Sequence, residues 1–289
     1  MQNHLYHSEI LAPPITDLSI WMGGVSSNER RYTHLLRSAQ QLRARCYLVD
    51  GAIRPEQVLA DGRFVMPDDE QSWHFLVLTN DDRVVGCVRY SLFDPQTVSF
   101  RDLRISELVR FADKNWSRKL IAAVQADLML AHLRGSFYAE LGGWAIAKEY
   151  RGTKLALETV LASFAWGALV RGGCICSCTA TVRHGSASIL RRIGGRPIGT
   201  EESTLPSYWD PRYACEMEAL RFDSREVEPR YRQLVLEMQS RLQGRAVLQA
   251  DNAANEAQFQ ASLANLHNAL QARGGAVPFS SDSGVVLAG

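Results

Sequence analysis

The chain lacks an excess of charge of either sign: 32 Lys and Arg residues face 31 Asp and Glu residues, a net charge of +1. A protein that grips nucleic acid by neutralising phosphates ordinarily carries a basic surplus, so no nucleic-acid partner is expected. It also lacks a long unbroken hydrophobic run. The longest, Leu155 to Val170, is interrupted by Glu158, Thr159 and Ser163. A bilayer-spanning helix needs about 20 apolar residues, so this run reads as a buried helix and no membrane span is expected. The start, MQNHLYHSEILAPP, has neither the basic opening nor the continuous apolar core of a secretion signal. Without one, the six cysteines (Cys46, Cys87, Cys174, Cys176, Cys178 and Cys215) are expected to be reduced thiols and the protein cytoplasmic. Cys174, Cys176 and Cys178 have no second pair elsewhere to complete a structural zinc site, so no metal is expected. They read instead as small buried residues or pocket wall. No internal repeat is visible.

What is present is the balance of a folded globular protein, 46% hydrophobic and 22% charged. All six tryptophans and all six cysteines precede residue 216, and beyond about Glu226 the chain turns to Gln, Ala, Asn, Leu and Arg. Composition therefore suggests an N-terminal extension (1–29), one folded domain (30–223) and a helical appendage with a loose tail (224–289). Within the domain, Leu35 to Leu48 has helical apolar spacing. Trp73 to Thr79 and Val84 to Phe93 read as strands, joined by the polar turn Asn80 to Arg83 into a hairpin. Trp116 to Leu133 reads as a helix and Tyr138 to Ala147 as a strand. Leu155 to Arg171 is a helix, Cys174 to Val182 a strand, Ser186 to Arg192 a short helix and Tyr213 to Phe222 a last strand. That order predicts an α/β (α+β) fold with one mixed sheet and helices packed on it. In the appendage, helices are expected over about 229–242 and 250–273. They could pack on the domain, form a homodimer contact or act as a lid.

The most informative stretch runs from Trp144 to Leu169. A strand leads through Ala145 and Ile146 into the short loop Glu149-Tyr150-Arg151-Gly152-Thr153, and a long helix starts at once. A helix start offers unpaired N–H groups and the positive end of the dipole, which suits an anion. Gly152 lets backbone approach closely, and Arg151 and Lys154 add positive charge. The alternative is that Arg-Gly merely opens a buried helix.

At this loop the chain resembles the GNAT superfamily of N-acyltransferases. Their pyrophosphate loop reads roughly aliphatic-x-Val-x-Pro-x-Tyr-Arg-Gly-x-Gly-x-Gly/Ala. Tyr150, Arg151, Gly152 and Ala156 match it; Lys148 and Lys154 replace the usual Pro and middle Gly. The resemblance spans roughly residues 35–222 and implies a GNAT-like sheet with acyl-CoA held by Ala145, Ile146, Tyr150, Arg151, Gly152, Thr153, Lys154, Leu155 and Ala156. Ser186 to Gly195 looks like the family's final helix, where many members carry a general-acid Tyr; that position is Leu190 here. A narrower resemblance is to the N-acyl amino acid synthase and acyl-homoserine lactone synthase branch. Its early Arg-x-x-x-Phe appears as Arg43 to Tyr47, its Gly-Cys-x-Arg as Gly86 to Arg89, and its Glu-x-Ser/Thr-Arg strand as Glu140 onward. Gly143 stands where those synthases have the second Arg, so lactone formation itself is not expected.

Acylating an amine requires a base to take a proton and a donor for the oxygen that becomes negative. Glu140, an acid in an otherwise apolar strand, is the candidate base, with a structural ion pair as the alternative. The pair Gly142-Gly143 predicts a β-bulge that frees a backbone N–H for the thioester or the pantetheine arm, with Trp144 beside it. Arg89, mid-strand, could hold an acceptor carboxylate or face solvent. Arg43 is weighed as a second substrate contact against a surface helix residue. His184, after the Cys174 strand, is a candidate proton carrier. The expected activity is acyl transfer from a CoA or acyl-carrier-protein thioester to the amine of a small molecule such as an amino acid. No permanently bound cofactor is expected. The competing reading is a catalytically silent acyl-CoA-binding or sensor protein.

Overall fold

The computed structural model describes residues 6–14, 24–170, 172–200, 203–243 and 245–250. In chain order the elements are β1 (Tyr6–Leu11), β2 (Val25–Ser27), α1 (Glu29–Val49), β3 (Trp73–Thr79), β4 (Val84–Phe93), α2 (Lys114–Leu133), β5 (Phe137–Ile146) and α3 (Lys154–Leu169). There follow β6 (Cys174–Thr181), α4 (Ser186–Arg192), β7 (Arg196–Pro197), β8 (Gly199–Thr200), β9 (Ser203–Thr204), β10 (Tyr208–Asp210), β11 (Cys215–Asp223), α5 (Arg232–Gln243) and β12 (Val247–Gln249). The predicted mixed sheet is present, in the order β10-β11-β6-β5-β4-β3-β1-β12-β2, with β7 beside β11. The β3–β4 hairpin forms across the polar turn. The β5–β6 pair is parallel, with α3 as its crossover.

Strand alternation separates two faces. On one, α1 covers Leu76, Leu78 and Cys87, and α2 covers Tyr138, Ile175 and Met217. On the other, α3, α4 and α5 cover Trp73, Phe75, Tyr90, Leu220, Phe222 and the cysteines of β6. Helix α3 is buried over most of its surface, and its two hydroxyls are satisfied within it: Thr159 donates to the Leu155 carbonyl at 2.7 Å and Ser163 to that of Val160 at 2.8 Å. Polar residues thus interrupt the hydrophobic run without a buried orphan. Among the described residues no helix is long and apolar enough to cross a membrane. All six cysteines are free and buried.

The extension and the appendage expected from composition are not outside the sheet. Strand β1 pairs antiparallel with β3 from Tyr6↔Thr79 to Leu11↔His74. Strand β12 lies between β1 and β2. Helix α5 buries Val235, Met238 and Leu242 in the core that α3 shares. One compact unit therefore runs to Ala250 rather than ending near 223. These segments are short and polar in composition, and pairing with the central strands gives them their structure. The helix expected over 250–273 and the tail lie outside the described residues.

Candidate active site

Strands β5 and β6 pair only from Phe137↔Cys174 to Leu141↔Cys178 and then part. The cause is visible on the other edge of β5. Arg89 pairs with Gly142 and Cys87 with Ala145, so Gly143 and Trp144 together oppose Val88. This is the predicted bulge, and it bends β5 away from β6. Gly143 adopts φ +63°, and a Cβ there would sit 2.9 Å from Arg43 Nη1. Both the left-handed backbone and the close approach of Arg43 require glycine.

The gap between the two strands is a cleft of about 390 Å³ that passes through the sheet. Its wall on the α3/α4 side includes Arg151, Gly152, Ala156, Val160, His184 and Leu190; its wall on the other includes Tyr47, Arg89, Arg104, Glu140, Arg212 and Tyr213. The cleft is thus lined by residues from both faces of the sheet.

On the α3/α4 side, α3 begins at Lys154 with Thr153 as its cap, the Thr153 hydroxyl accepting from Leu155 N at 3.2 Å. Gly152 has φ +77°, and a Cβ there would meet nothing within 4 Å. Glycine is needed there for its backbone angle and not for space. The Arg151 guanidinium is held by Asp50 in a two-bond pair at 2.7 and 3.0 Å, and its Nε donates to the Ile146 carbonyl. Arg151 thus pins the loop to the end of α1, leaving the positive end of the α3 dipole beside the cleft; Lys154 is exposed to solvent.

On the opposite wall, Glu140 is 7% exposed. Its two oxygens accept the backbone N–H groups of Arg104 (2.9 Å) and Ile105 (2.8 Å), at the start of a 3-10 helix, Arg104–Arg110. Burial pushes its carboxyl above the usual range; the two N–H bonds and Arg104 oppose this without cancelling it. Arg89 is buried and pairs with Asp68, which also receives Arg104 at 2.8 Å. Among the described residues, Arg89 Nε and Trp144 Nε1 are buried N–H donors without an acceptor.

Of the residues singled out in the sequence, Glu140, His184, Arg89, Gly142, Gly143, Trp144, Ala145, Ile146, Arg151, Gly152 and Ala156 line this one cleft. Tyr150, Thr153, Lys154 and Leu155 do not line it, and Leu155 is buried in the core under α1. Arg43 is neither at the surface nor on the cleft wall: it is 1% exposed and paired with Asp69. Its helical stripe is buried by β4 and β5, which spacing alone does not tell. Sequence reasoning did not select Tyr47, Arg104, Arg212 or Tyr213. Arg104 lies in a segment without helix or strand periodicity, and Arg212 and Tyr213 in a turn. Tyr47 was legible as one turn beyond Arg43.

No protein-family model and no curated protein matches the chain. Solved structures do resemble it. A CoA-dependent acyl-homoserine lactone synthase, BjaI, is similar at 16% identity and TM-score 0.49, over 88% of this chain and 99% of that one. An N-acyl amino acid synthase from uncultured soil microbes, FeeM, is similar at 14% identity and TM-score 0.42, over 76% and 91%. A ribosomal-protein-S5-alanine acetyltransferase from Vibrio fischeri is similar at 10% identity and TM-score 0.42, over 79% and 98%.

Proposed function

We propose that the protein is an N-acyltransferase that moves an acyl group from a CoA or acyl-carrier-protein thioester to the amine of a small molecule, an amino acid being the acceptor class the site suits best. The observation that carries this reading is the through-sheet cleft, which joins the N-terminus of α3 to the buried Glu140. The donor's phosphates would lie at that helix start, and its extended arm along Trp144 to Ile146, where β5 has parted from β6. Glu140 would take the proton of the attacking amine, using lone pairs that Arg104 N and Ile105 N leave free. The unpaired N–H groups of Arg89 and Trp144 suit an acceptor carboxylate or the thioester oxygen. His184, exposed at the mouth, would pass protons to solvent.

Thiol release from acetyl-CoA, longer acyl-CoA esters and acyl carrier protein, against a panel of amino acids and polyamines, tests the reading. Amine-dependent release supports it. Tight donor binding without release with any acceptor would favour the silent sensor instead. The donor site has its own test. Gly152→Val forces a β-branched residue into φ +77° at the helix start. It should weaken donor binding tenfold or more, about 1.4 kcal/mol. Calorimetry giving unchanged affinity for both kinds of donor would remove the loop from the site.

A further inference from the structure

Leu190 of α4 is a buried apolar residue on the cleft wall, where a tyrosine would have offered a general acid. Of the α4 residues on that wall only Ser186 carries a hydroxyl, and it donates to the Thr181 carbonyl at 3.0 Å, so α4 offers no free hydroxyl to a departing thiol. The facing wall does. Tyr47, in the last turns of α1, lines the same cleft, at the place where the Arg-x-x-x-Phe pattern has a ring without a hydroxyl. Three side chains of the α1 face and β4 reach the backbone of β5 where it has left β6. Cys46 Sγ donates to the Ile146 carbonyl at 3.2 Å, Cys87 Sγ to that of Gly143 at 3.4 Å, and Tyr47 Oη to that of Trp144 at 3.4 Å. Cys87 lies in the core, and Cys46, which lines the cleft as Tyr47 does, has only a weak S–H donor; of the three, Tyr47 brings a strong donor to the cleft. Its bond to Trp144 is long and therefore weak, so redirecting the O–H costs little. Phe64 packs edge-on against the ring, with centroids 6.0 Å apart, and holds it in place while the hydroxyl rotates. Burial pushes the phenol above its usual range, so it stays protonated throughout the working pH span and remains a donor.

We infer that Tyr47 is a catalytic residue whose hydroxyl hydrogen-bonds the donor's leaving sulfur as the acyl group departs. This rests on the acyl-transfer reading above, with the donor arm lying along Trp144. The amine nitrogen forms the new C–N bond, and the C–S bond breaks with its electron pair going to sulfur under the Tyr47 O–H. The amine proton passes to Glu140, and from there through water to the thiolate. Tyr47 keeps its own proton.

The test is Tyr47→Phe, which removes one oxygen and keeps the ring and its packing. It should lower kcat on acyl-CoA by tenfold or more with the donor KM little changed. The decisive comparison uses the oxygen-ester analogue of the same acyl-CoA. Its leaving alkoxide is more basic than a thiolate and leans harder on a hydrogen-bond donor, so the variant should lose at least tenfold more rate on the oxygen ester than on the thioester. Equal losses on both donors would reduce Tyr47 to a packing role, and wild-type kcat on both would exclude it from the reaction. If the wild type releases thiol with no acceptor and from no donor, the acyl-transfer reading falls and this inference with it. If the wild type is active and only the comparison fails, the inference alone falls.

Discussion

Glu140→Gln is expected to keep the fold and donor binding and to lower turnover by roughly 10²–10⁴-fold, the usual cost of losing a general base. In barrier terms that is about 3–5 kcal/mol. The substitution is not silent structurally. Each Glu140 oxygen accepts one backbone N–H, from Arg104 and from Ile105. A Gln can accept one of them and turns its NH₂ toward the other, a mismatch of about 1–3 kcal/mol in stability. A fully folded variant still runs at its own kcat, so the loss of base should dominate turnover once folding is verified by melting. The pH profile distinguishes the two causes. The folded carboxyl titrates above its ordinary value because burial disfavours the charge. Wild-type turnover should therefore rise with pH through that raised value, giving an acidic limb that the Gln variant lacks. Stability runs the other way: what the neutral carboxyl contributes below the unfolded value is lost as pH rises through the folded one. A Gln variant with wild-type turnover would move the base to His184 or a water chain.

The sequence and the structure agree where a residue's role follows from its neighbours along the chain. Strands β3 and β4 were legible because apolar runs flank one polar turn. The bulge was legible because two glycines interrupt a strand, and the helix start because Arg151-Gly152 lies in a short loop between a strand and a long apolar helix. What was not legible comes from pairing at a distance. Strands β1 and β12 are named by the partner they find, β1 on β3 and β12 beside β1. Arg43 shows the same limit at the level of one side chain. Helical spacing allowed a surface position for it, but Asp69, in a loop 26 residues on, makes burial of its charge tolerable. The cleft itself is the product of a local event, the bulge, and a distant one, the parallel β5–β6 pair from which β5 departs.

Asp69→Ala should be the most destabilising single change near the site, without touching a cleft residue. Asp69 and Arg43 are each 1% exposed. The Asp69 carboxylate also accepts Met66 N at 2.9 Å and Gln40 Nε2 at 3.1 Å, so three neighbouring residues donate to it. Removing one partner of a buried pair strands the other charge and typically costs about 3–5 kcal/mol. At roughly 2–4 °C per kcal/mol for a unit of this size, that is about 6–20 °C in melting temperature. The stranded guanidinium is the wedge against Gly143, so the bulge should loosen and turnover should fall with stability. Replacing both partners, Asp69→Leu with Arg43→Met, removes the stranded charge and should recover part of the stability, while Met66 N and Gln40 Nε2 still lose their acceptor. Acid unfolding supplies an independent check. Burial alone would raise the Asp69 carboxyl, but its bonds to Arg43 and the Arg43 charge outweigh burial and hold it at about 2. Its contribution is present above the unfolded value and is lost as pH falls through about 2. Burial holds neighbouring His74 neutral down to about 4, so the unfolded chain takes up that proton first, and stability declines as pH falls from about 6.5 to that point. Wild-type stability should therefore fall in both windows; Asp69→Ala should shrink the lower one, to which other paired carboxylates such as Asp82 and Glu149 also contribute, and should deepen the upper one by removing a charge that favours protonated His74. A variant that melts within 2 °C of wild type, about 1 kcal/mol or less, would mean that Arg43 finds another partner and that the ion pair does not hold the bulge.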